Sequence, residues 1–400
     1  MSNLMSFLSL SLGRIIQFLL VFITIKVMTT LLSPEEVGRY YLLLAIITGI
    51  VFFFINPIGL FVNRRINAWR NQSLIRQYFF ILFFYLFCIS IISILLIYFF
   101  INEYIKLEIS FLWIVCLIGG SVLFNSINTT SIPALNLLGY PIKYITLIVI
   151  TVSISLVSAT FFVYLYDFNY KYWFLGIVFG QLLTGILGTY YLFINTSGKI
   201  SLDLKKILTK NKLKNVLRFA WPISVSATLI WIHFQSYRFI IQSYINLYEL
   251  GIFVAGFSIG VSLIAAIELI LGSFLLPKFY KSIENVSDEK TAVAWSSYTE
   301  IFLPSLILGG ITIIVLSPEL TKIFLGPEFQ ISMEYIFWGV VCEIARVVFG
   351  IYSLIAHAKM NTSWLIIPAA VGALLSLLLS FLFINFFASH GAGLGITLSG

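Results

Sequence analysis

The sequence predicts an all-α integral membrane protein of about twelve transmembrane helices in two related halves, with the last helix incomplete. Three observations carry this. Of 400 residues, 60% are hydrophobic and only 10% are charged, with a mean hydropathy of +1.03, whereas soluble domains run nearer half apolar and a quarter charged. Continuous apolar stretches of about 20 residues recur from end to end, each long enough to cross a hydrocarbon core. They are unbroken rather than alternating, so helices and not barrel strands are the spanning element. The second half also repeats features of the first at a shift of 213 positions.

This composition excludes a water-soluble globule, which would expose large apolar patches. The first apolar run starts near Phe7 and continues past Leu31, too long for a cleavable signal peptide. Cys88, Cys116 and Cys342 all lie inside apolar runs with no C-x-x-C spacing. They read as small core hydrophobes, and neither disulfides, a metal site nor a cofactor is expected.

In order, spans are predicted near 8–31, 37–61, 78–101, 110–136, 144–166 and 172–194, then near 219–243, 249–275, 298–317, 332–355 and 362–387. A twelfth begins around Gly391 and is cut off at Gly400. Loops after even-numbered spans hold sixteen lysines and arginines: Arg64, Arg65, Arg70, Arg76, Lys143, Lys199, Lys205, Lys206, Lys210, Lys212, Lys214, Arg218, Lys278, Lys281, Lys290 and Lys359. Loops after odd-numbered spans hold three: Lys106, Lys171 and Lys322. By the positive-inside rule the N-terminus is expected in the cytoplasm. The net charge of +8 then follows from topology and from anionic headgroups at the inner face, with no nucleic-acid partner. The polar, basic stretch 196–218 divides the chain into an N-terminal lobe at 1–195 and a C-terminal lobe at 219–400.

The 213 shift places Val37-Gly38-Arg39-Tyr40-Tyr41 on Leu250-Gly251-Ile252-Phe253-Val254, each after a short polar turn. Leu138-Gly139-Tyr140-Pro141-Ile142-Lys143 and Ala356-His357-Ala358-Lys359-Met360-Asn361 form a later pair, each leading into an apolar span. Six spans separate equivalent points, so the copies share one orientation. That is the parallel-repeat plan of many transporters.

At Leu31-Leu32-Ser33-Pro34-Glu35-Glu36-Val37-Gly38-Arg39-Tyr40-Tyr41 the chain resembles the polysaccharide transporters of the MOP superfamily, and more narrowly the O-antigen flippase (Wzx) group. Asn56-Pro57-Ile58-Gly59-Leu60 with Arg64-Arg65, and Pro133-Ala134-Leu135-Asn136 through Gly139, are similar to its second and fourth helices. The family completes a twelfth helix, which this chain only begins. The resemblance implies two pseudo-symmetric six-helix lobes around a central cavity faced by helices one and seven. It implies a bacterial inner-membrane protein of surface-polysaccharide biosynthesis, with an undecaprenyl-diphosphate-linked oligosaccharide as cargo. Coupling to protons or sodium and association with a polysaccharide polymerase and chain-length regulator are further implications.

Ionisable side chains inside spans are functional candidates, because each costs about 2.5–3.5 kcal/mol at a helix centre on insertion scales. The basic set is Arg14, Lys26, Arg39, Arg238 and Arg346, and the acidic set is Glu268 and Glu343. The cationic excess suits a diphosphate, with the arginine fork matching phosphate oxygens. Arg14, Lys26, Arg39 and Arg238 are the candidate diphosphate-binding residues, though Lys26 and Arg39 also fit interfacial anchoring and Arg14 also fits a headgroup contact. Arg14, Gln17 and Thr24 share a helix face. Glu343 and Arg346, three apart, fit a structural pair. Glu268, with no local partner, Glu343 and His233 are candidates for ion coupling. Under the repeat, Arg238 falls beside Lys26, so helices one and seven carry basic groups at similar depth.

A MATE-like multidrug exporter for cationic drugs would reverse the balance of embedded charge. A membrane enzyme such as a polymerase or ligase would need outward catalytic loops. The first outward turn is only four or five residues, and H-E-x-x-H, a nucleophile elbow, a phosphate-cradling glycine loop and paired aspartates are all missing from the sequence. No catalytic residue is expected.

Overall fold

The computed structural model describes residues 2–100, 109–198, 210–282, 288–358 and 366–399. Residues 199–209 of the basic linker, with Lys199, Lys205 and Lys206, lie outside them. So do Lys106 and the Lys359-Met360-Asn361 end of the second repeat pair. Among the described residues eleven helices are long and apolar enough to cross a membrane. They are α1 Ser2–Leu31, α2 Pro34–Asn71, α3 Ile75–Phe100, α4 Phe111–Leu137, α5 Pro141–Leu165, α6 Tyr170–Ile194, α7 Lys210–Tyr244, α8 Leu247–Ser282, α9 Asp288–Val315, α10 Met333–Ala358 and α11 Ile366–Ser399. A short helix, Ser317–Phe324, and a 3₁₀ turn, Pro327–Ser332, connect α9 to α10.

Local chemistry sets the helix ends. Pro34 opens α2 at a position that lacks an N–H bond anyway, with Glu35 and Glu36 favourable at the positive end. Gly139, at φ +89, closes α4 as the Tyr140 N–H donates to Leu135 O at 2.8 Å, and Pro141 then starts α5. The side chains of Asn169 and Asn246 accept from the Lys171 and Glu249 amides at the starts of α6 and α8.

Several helices outrun their predicted spans, among them α9, which begins at Asp288 rather than near 298, and α8, which runs to Ser282 rather than ending near 275. The second span was expected to end near 61, yet α2 continues to Asn71. Val62, Ile66 and Trp69 recur on one buried face while Arg64 and Arg65 stay exposed, so an amphipathic helix emerges from the apolar one. Likewise α7 begins at Lys210 rather than near 219. Hydropathy stops at the first charges, whereas a helix does not.

α2 and α4 also contain π-helical turns, at Val51–Ile55, Ile114–Gly119 and Ser121–Asn125. Such turns disturb the carbonyl ladder. Side chains of α3 meet carbonyls there: Tyr85 OH donates to Phe54 O at 2.7 Å and Ser90 Oγ to Gly119 O at 2.8 Å.

The segment predicted to begin a twelfth helix is a return arm. Ala388 breaks α11 with φ 49° and ψ −134°. Beyond it Gly391 packs on Phe383, Gly395 on Ser380, and Ser399 reaches Gly372. Partner numbers fall as the arm proceeds, so residues 389–399 run antiparallel to the preceding limb.

The chain forms two compact units, one of residues 1–24 and 43–228, the other of 25–42 and 229–400. In the first, α5 and α6 approach closely where Gly176 and Gly180 face Ala159 and Ser155. In the second, α8 is central and largely buried, its Gly256 and Gly260 lying against Ser332 and Ile336. Tyr237, Phe253, Phe257 and Tyr335 form a continuous aromatic cluster beside it.

Within this second unit the repeat acquires a structural counterpart. A Cβ on Gly38 would stand 2.1 Å from Leu247 O, and one on Gly251 would stand 1.8 Å from Pro34 O. Gly38 and Gly251 are equivalent under the 213 shift, and so are Pro34 and Leu247. The first turns of α2 and α8 therefore make a reciprocal contact of the kind a local twofold axis generates. Gly251→Val is expected to cost roughly 1–3 kcal/mol through overpacking and to lower the thermal midpoint in detergent. Gly59→Ala, where a Cβ meets nothing within 4 Å, is expected to leave it unchanged.

Candidate functional site

α7, α8 and α10 bring four of the embedded charges together in the second unit. Arg238 on α7 and Glu343 and Arg346 on α10 line a cavity of about 220 Å³ with Gln235, Ser258 and Ser262. A second cavity of about 310 Å³ shares Phe234 and Arg346 with the first and adds His233 on α7 and Pro368 and Gly372 on α11. Glu268 on α8 joins the group through Arg346.

The charges are disposed unequally. Arg346 bridges Glu343 at 2.8 Å, as the i, i+3 spacing predicts. Arg346 also donates to Glu268, so the acid with no local partner has one 78 residues away. Local spacing along α8 could not reveal it. The three side chains form an acid–base–acid group in which the guanidinium is already claimed by two carboxylates.

Arg238 is held differently. It is buried, donates from Nη1 to Tyr41 O at 3.0 Å and from Nε to Tyr237 OH at 3.3 Å, and lies over the Tyr41 and Tyr237 rings at 5.2 and 5.6 Å. Carbonyl, hydroxyl and π faces orient a guanidinium without neutralising it. Among the described residues no carboxylate forms an ion pair with Arg238. Gln235 Oε1 and Ser236 Oγ, three and two residues before it, are buried with no protein hydrogen-bond partner among the described residues. A guanidinium and an unpaired amide oxygen thus line one cavity, which can receive an anion beside a hydrogen-bond donor.

His233 stacks on Phe234 at 4.4 Å, shares a 3.1 Å hydrogen bond between Nε2 and Ser399 Oγ, and receives Ser376 Oγ at its carbonyl. The return arm of α11 therefore supplies a ring partner.

The remaining basic candidates lie elsewhere. Lys26 donates to Lys322 O at 2.9 Å and to Leu325 O, capping the C-terminal carbonyls of the short helix Ser317–Phe324. Arg39 pairs with Glu35 and Glu36 at 2.6 and 3.0 Å in the first turn of α2. Arg14, in the first unit, donates to Gln17 Oε1 at 2.9 Å and Tyr144 OH at 2.6 Å. The shared face expected for Arg14 and Gln17 is thus an actual hydrogen bond.

Tyr41, Tyr237, Gln235, Ser258 and Ser262 were not singled out from sequence. Gln235 lies one helical turn before Arg238, and that spacing was the available signal. The serines lie one turn apart on another helix, and nothing local distinguishes them.

A profile of the family described as polysaccharide biosynthesis protein matches residues 4–283. No curated protein sequence matches. Among solved structures the chain is similar to an inward-facing multidrug resistance MATE family transporter of the MOP superfamily. That match has TM-score 0.71 and 15% identity, covering 98% of this chain and 94% of the other. It is also similar to the lipid II flippase MurJ in an inward closed conformation, with TM-score 0.67 and 13% identity over 98% and 84%. An outward-facing MATE transporter gives TM-score 0.56 at 15% identity over 98% and 91%. At these identities the likeness establishes the fold, that of MOP-superfamily transporters.

Arg346→Ala is expected to destabilise by about 1–2 kcal/mol, below the cost of breaking a fully buried pair, because only Glu343 of the three is buried. Arg346 and Glu268 are each about one-third exposed, at 36% and 34%. Thermal unfolding in detergent reads this, and the neutral triple variant Glu268→Gln, Glu343→Gln, Arg346→Met is expected to regain most of the loss.

Proposed function

The chain belongs to the polysaccharide biosynthesis protein family, and on that premise we propose that it is a flippase for an undecaprenyl-diphosphate-linked oligosaccharide. The cargo moves from the cytoplasmic to the periplasmic leaflet of a bacterial inner membrane, as in the O-antigen group, without covalent chemistry. The N-terminus is cytoplasmic, as the sixteen-to-three bias of basic residues requires, and 1–195 and 219–400 serve as the two lobes. The cargo's next handlers are a polymerase and a chain-length regulator.

The observation carrying this reading is Arg238, a buried guanidinium on a membrane-spanning helix with no ion-pair partner among the described residues. Its remaining donors suit phosphate oxygens in a fork that lysine does not offer. The unpaired Gln235 oxygen beside it would accept from a hydroxyl. A protein of the same fold bears the name lipid II flippase, which supports a lipid-linked glycan as the cargo class.

Coupling is assigned to the Glu268–Arg346–Glu343 group, with His233 on the neighbouring cavity. A proton or sodium ion taken up by one carboxylate loosens that carboxylate's hold on Arg346, which stays paired with the other but gains free donors toward the cavity. The exporter reading is less well served. A cationic drug would have to compete with Arg346 for both acids, which keep between them one net negative charge, whereas Arg238 offers an anion a guanidinium with no ion pair among the described residues.

Proteoliposomes carrying a fluorescent undecaprenyl-diphosphate-linked glycan test the proposal. Wild type is expected to flip the lipid, Arg238→Ala to slow it at least about ten-fold, as loss of one charge-assisted contact implies, and Arg238→Lys to recover part. A wild-type protein that leaves the glycan lipid in place and clears a cationic dye sinks the reading in favour of the exporter.

A further inference from the structure

We propose that the first unit holds an anionic phospholipid, with its phosphate in a basic cup and one chain in an adjoining groove. This site is independent of the Arg238 cavity and of the cargo reading.

The cup is a polar cavity of about 500 Å³ where Arg70 from α2, Ile75 from α3, Tyr140 before α5 and Asn195 to Ser197 after α6 converge. Arg70 lines it, and two further cations, Lys143 and Arg76, bond residues in or beside its rim. Arg70 donates to Leu138 O at 2.9 Å, Lys143 to Asn195 Oδ1 at 2.9 Å, and Arg76 to Phe193 O from Nε and Nη2 at 3.1 and 2.6 Å. Every one of these acceptors is neutral. Among the described residues no carboxylate pairs with Arg70, Arg76 or Lys143. One unpaired cation in the cup and two at its border therefore favour an anion, and Arg70 and Lys143 retain donors for it. It is also fixed in shape. Gly198, at φ +121, lies so close to Ser73 that a Cβ would meet Ser73 O at 2.0 Å, and Ser73 and Ser197 share a hydrogen bond at 3.2 Å.

The groove begins on the same helices. Arg76 and Phe83 are seven residues apart on α3, hence on one face and about 10 Å apart along the axis. Phe83 and Thr189 line an apolar cavity of about 250 Å³. It shares Phe124 and Leu182 with a larger apolar cavity of about 670 Å³, beside the π-helical turns of α4. Exposed Phe87, Ile91, Phe179 and Ile186 border these cavities, so the occupant enters from the bilayer. A cationic cup at a helix end, with an apolar groove about two turns farther along the same helices, matches a membrane lipid with an anionic headgroup. The lateral opening favours an abundant phospholipid over a carrier bearing a glycan.

Native mass spectrometry of the full chain, delipidated and offered dioleoyl phosphatidylglycerol or phosphatidylcholine, tests this. Wild type is expected to retain phosphatidylglycerol selectively. Lys143→Gln, whose ammonium bonds only a side chain, is expected to weaken it about five-fold, and Arg70→Gln/Lys143→Gln further. Thr189→Trp, which fills the groove without altering charge, is expected to weaken it too. Arg218→Gln, on an exposed residue of α7, is expected to have no effect, and melting temperatures without lipid confirm that each variant is folded. Equal retention of the two lipids overturns the proposal. Loss with the charge variants but not with Thr189→Trp reduces the site to surface electrostatics and also overturns it. Displacement of phosphatidylglycerol by equimolar undecaprenyl phosphate, with the same dependence on Lys143 and Thr189, overturns the choice of occupant and assigns the site to the carrier lipid.

Discussion

An unpaired charge in hydrocarbon is expensive, and the second unit is organised around how that expense is met. Arg14, Lys26, Arg39, Arg238, Arg346, Glu268 and Glu343 sit within spans, and an ionisable side chain at a helix centre costs about 2.5–3.5 kcal/mol by insertion scales. Most have explicit compensation. Lys26 caps a short helix, Arg39 pairs with two acids of its own turn, and Arg346 binds two carboxylates from two helices. Arg238 is oriented by a carbonyl, a hydroxyl and two aromatic faces and has no ion-pair partner among the described residues, its only nearby counter-charge being the one net negative charge of the Glu268–Arg346–Glu343 group on the same cavity. A guanidinium without an ion pair persists where something else supplies the counter-charge, and our proposal gives that role to the cargo's diphosphate.

Packing places Arg238 where it can do this. Tyr41 follows Gly38 by one turn of α2, and its carbonyl receives Arg238. The approach of Gly38 and Gly251 draws the first turns of α2 and α8 together. Small residues thus set the backbone separation, and the separation brings Tyr41 to α7. The same logic appears at the return arm of α11, whose glycines let it lie against the preceding limb and carry Ser399 to His233. In both places a repeat or glycine pattern visible in sequence becomes a contact that positions a polar side chain.

The spans were legible because hydrocarbon thickness imposes a length and composition that hydropathy measures directly. The ends were less so. Val62, Ile66 and Trp69 prolong α2 on an amphipathic face, and the Lys210 start of α7 lies in a stretch too basic to score as a span. Of the site, the Glu343–Arg346 pair was readable from spacing, and the Gly38–Gly251 equivalence from the repeat. The Glu268–Arg346 pair joins residues 78 apart, and the Lys26–Leu325 contact joins residues 299 apart. Nothing local encodes either. Gln235, Ser258 and Ser262 escaped notice because uncharged polar residues are common in membrane helices and become informative only once a cavity gathers them.

The central claim is that Arg238 offers an unpaired charge to an anionic cargo. Its most direct test is equilibrium binding of undecaprenyl diphosphate and of neutral undecaprenol to the detergent-solubilised protein, in wild type and in Arg238→Gln. The account predicts that wild type prefers the diphosphate by at least about ten-fold, the scale of one charge-assisted contact, and that Arg238→Gln loses most of that preference while binding the prenol unchanged. Equal affinities in wild type, or a preference that survives in Arg238→Gln, would contradict it.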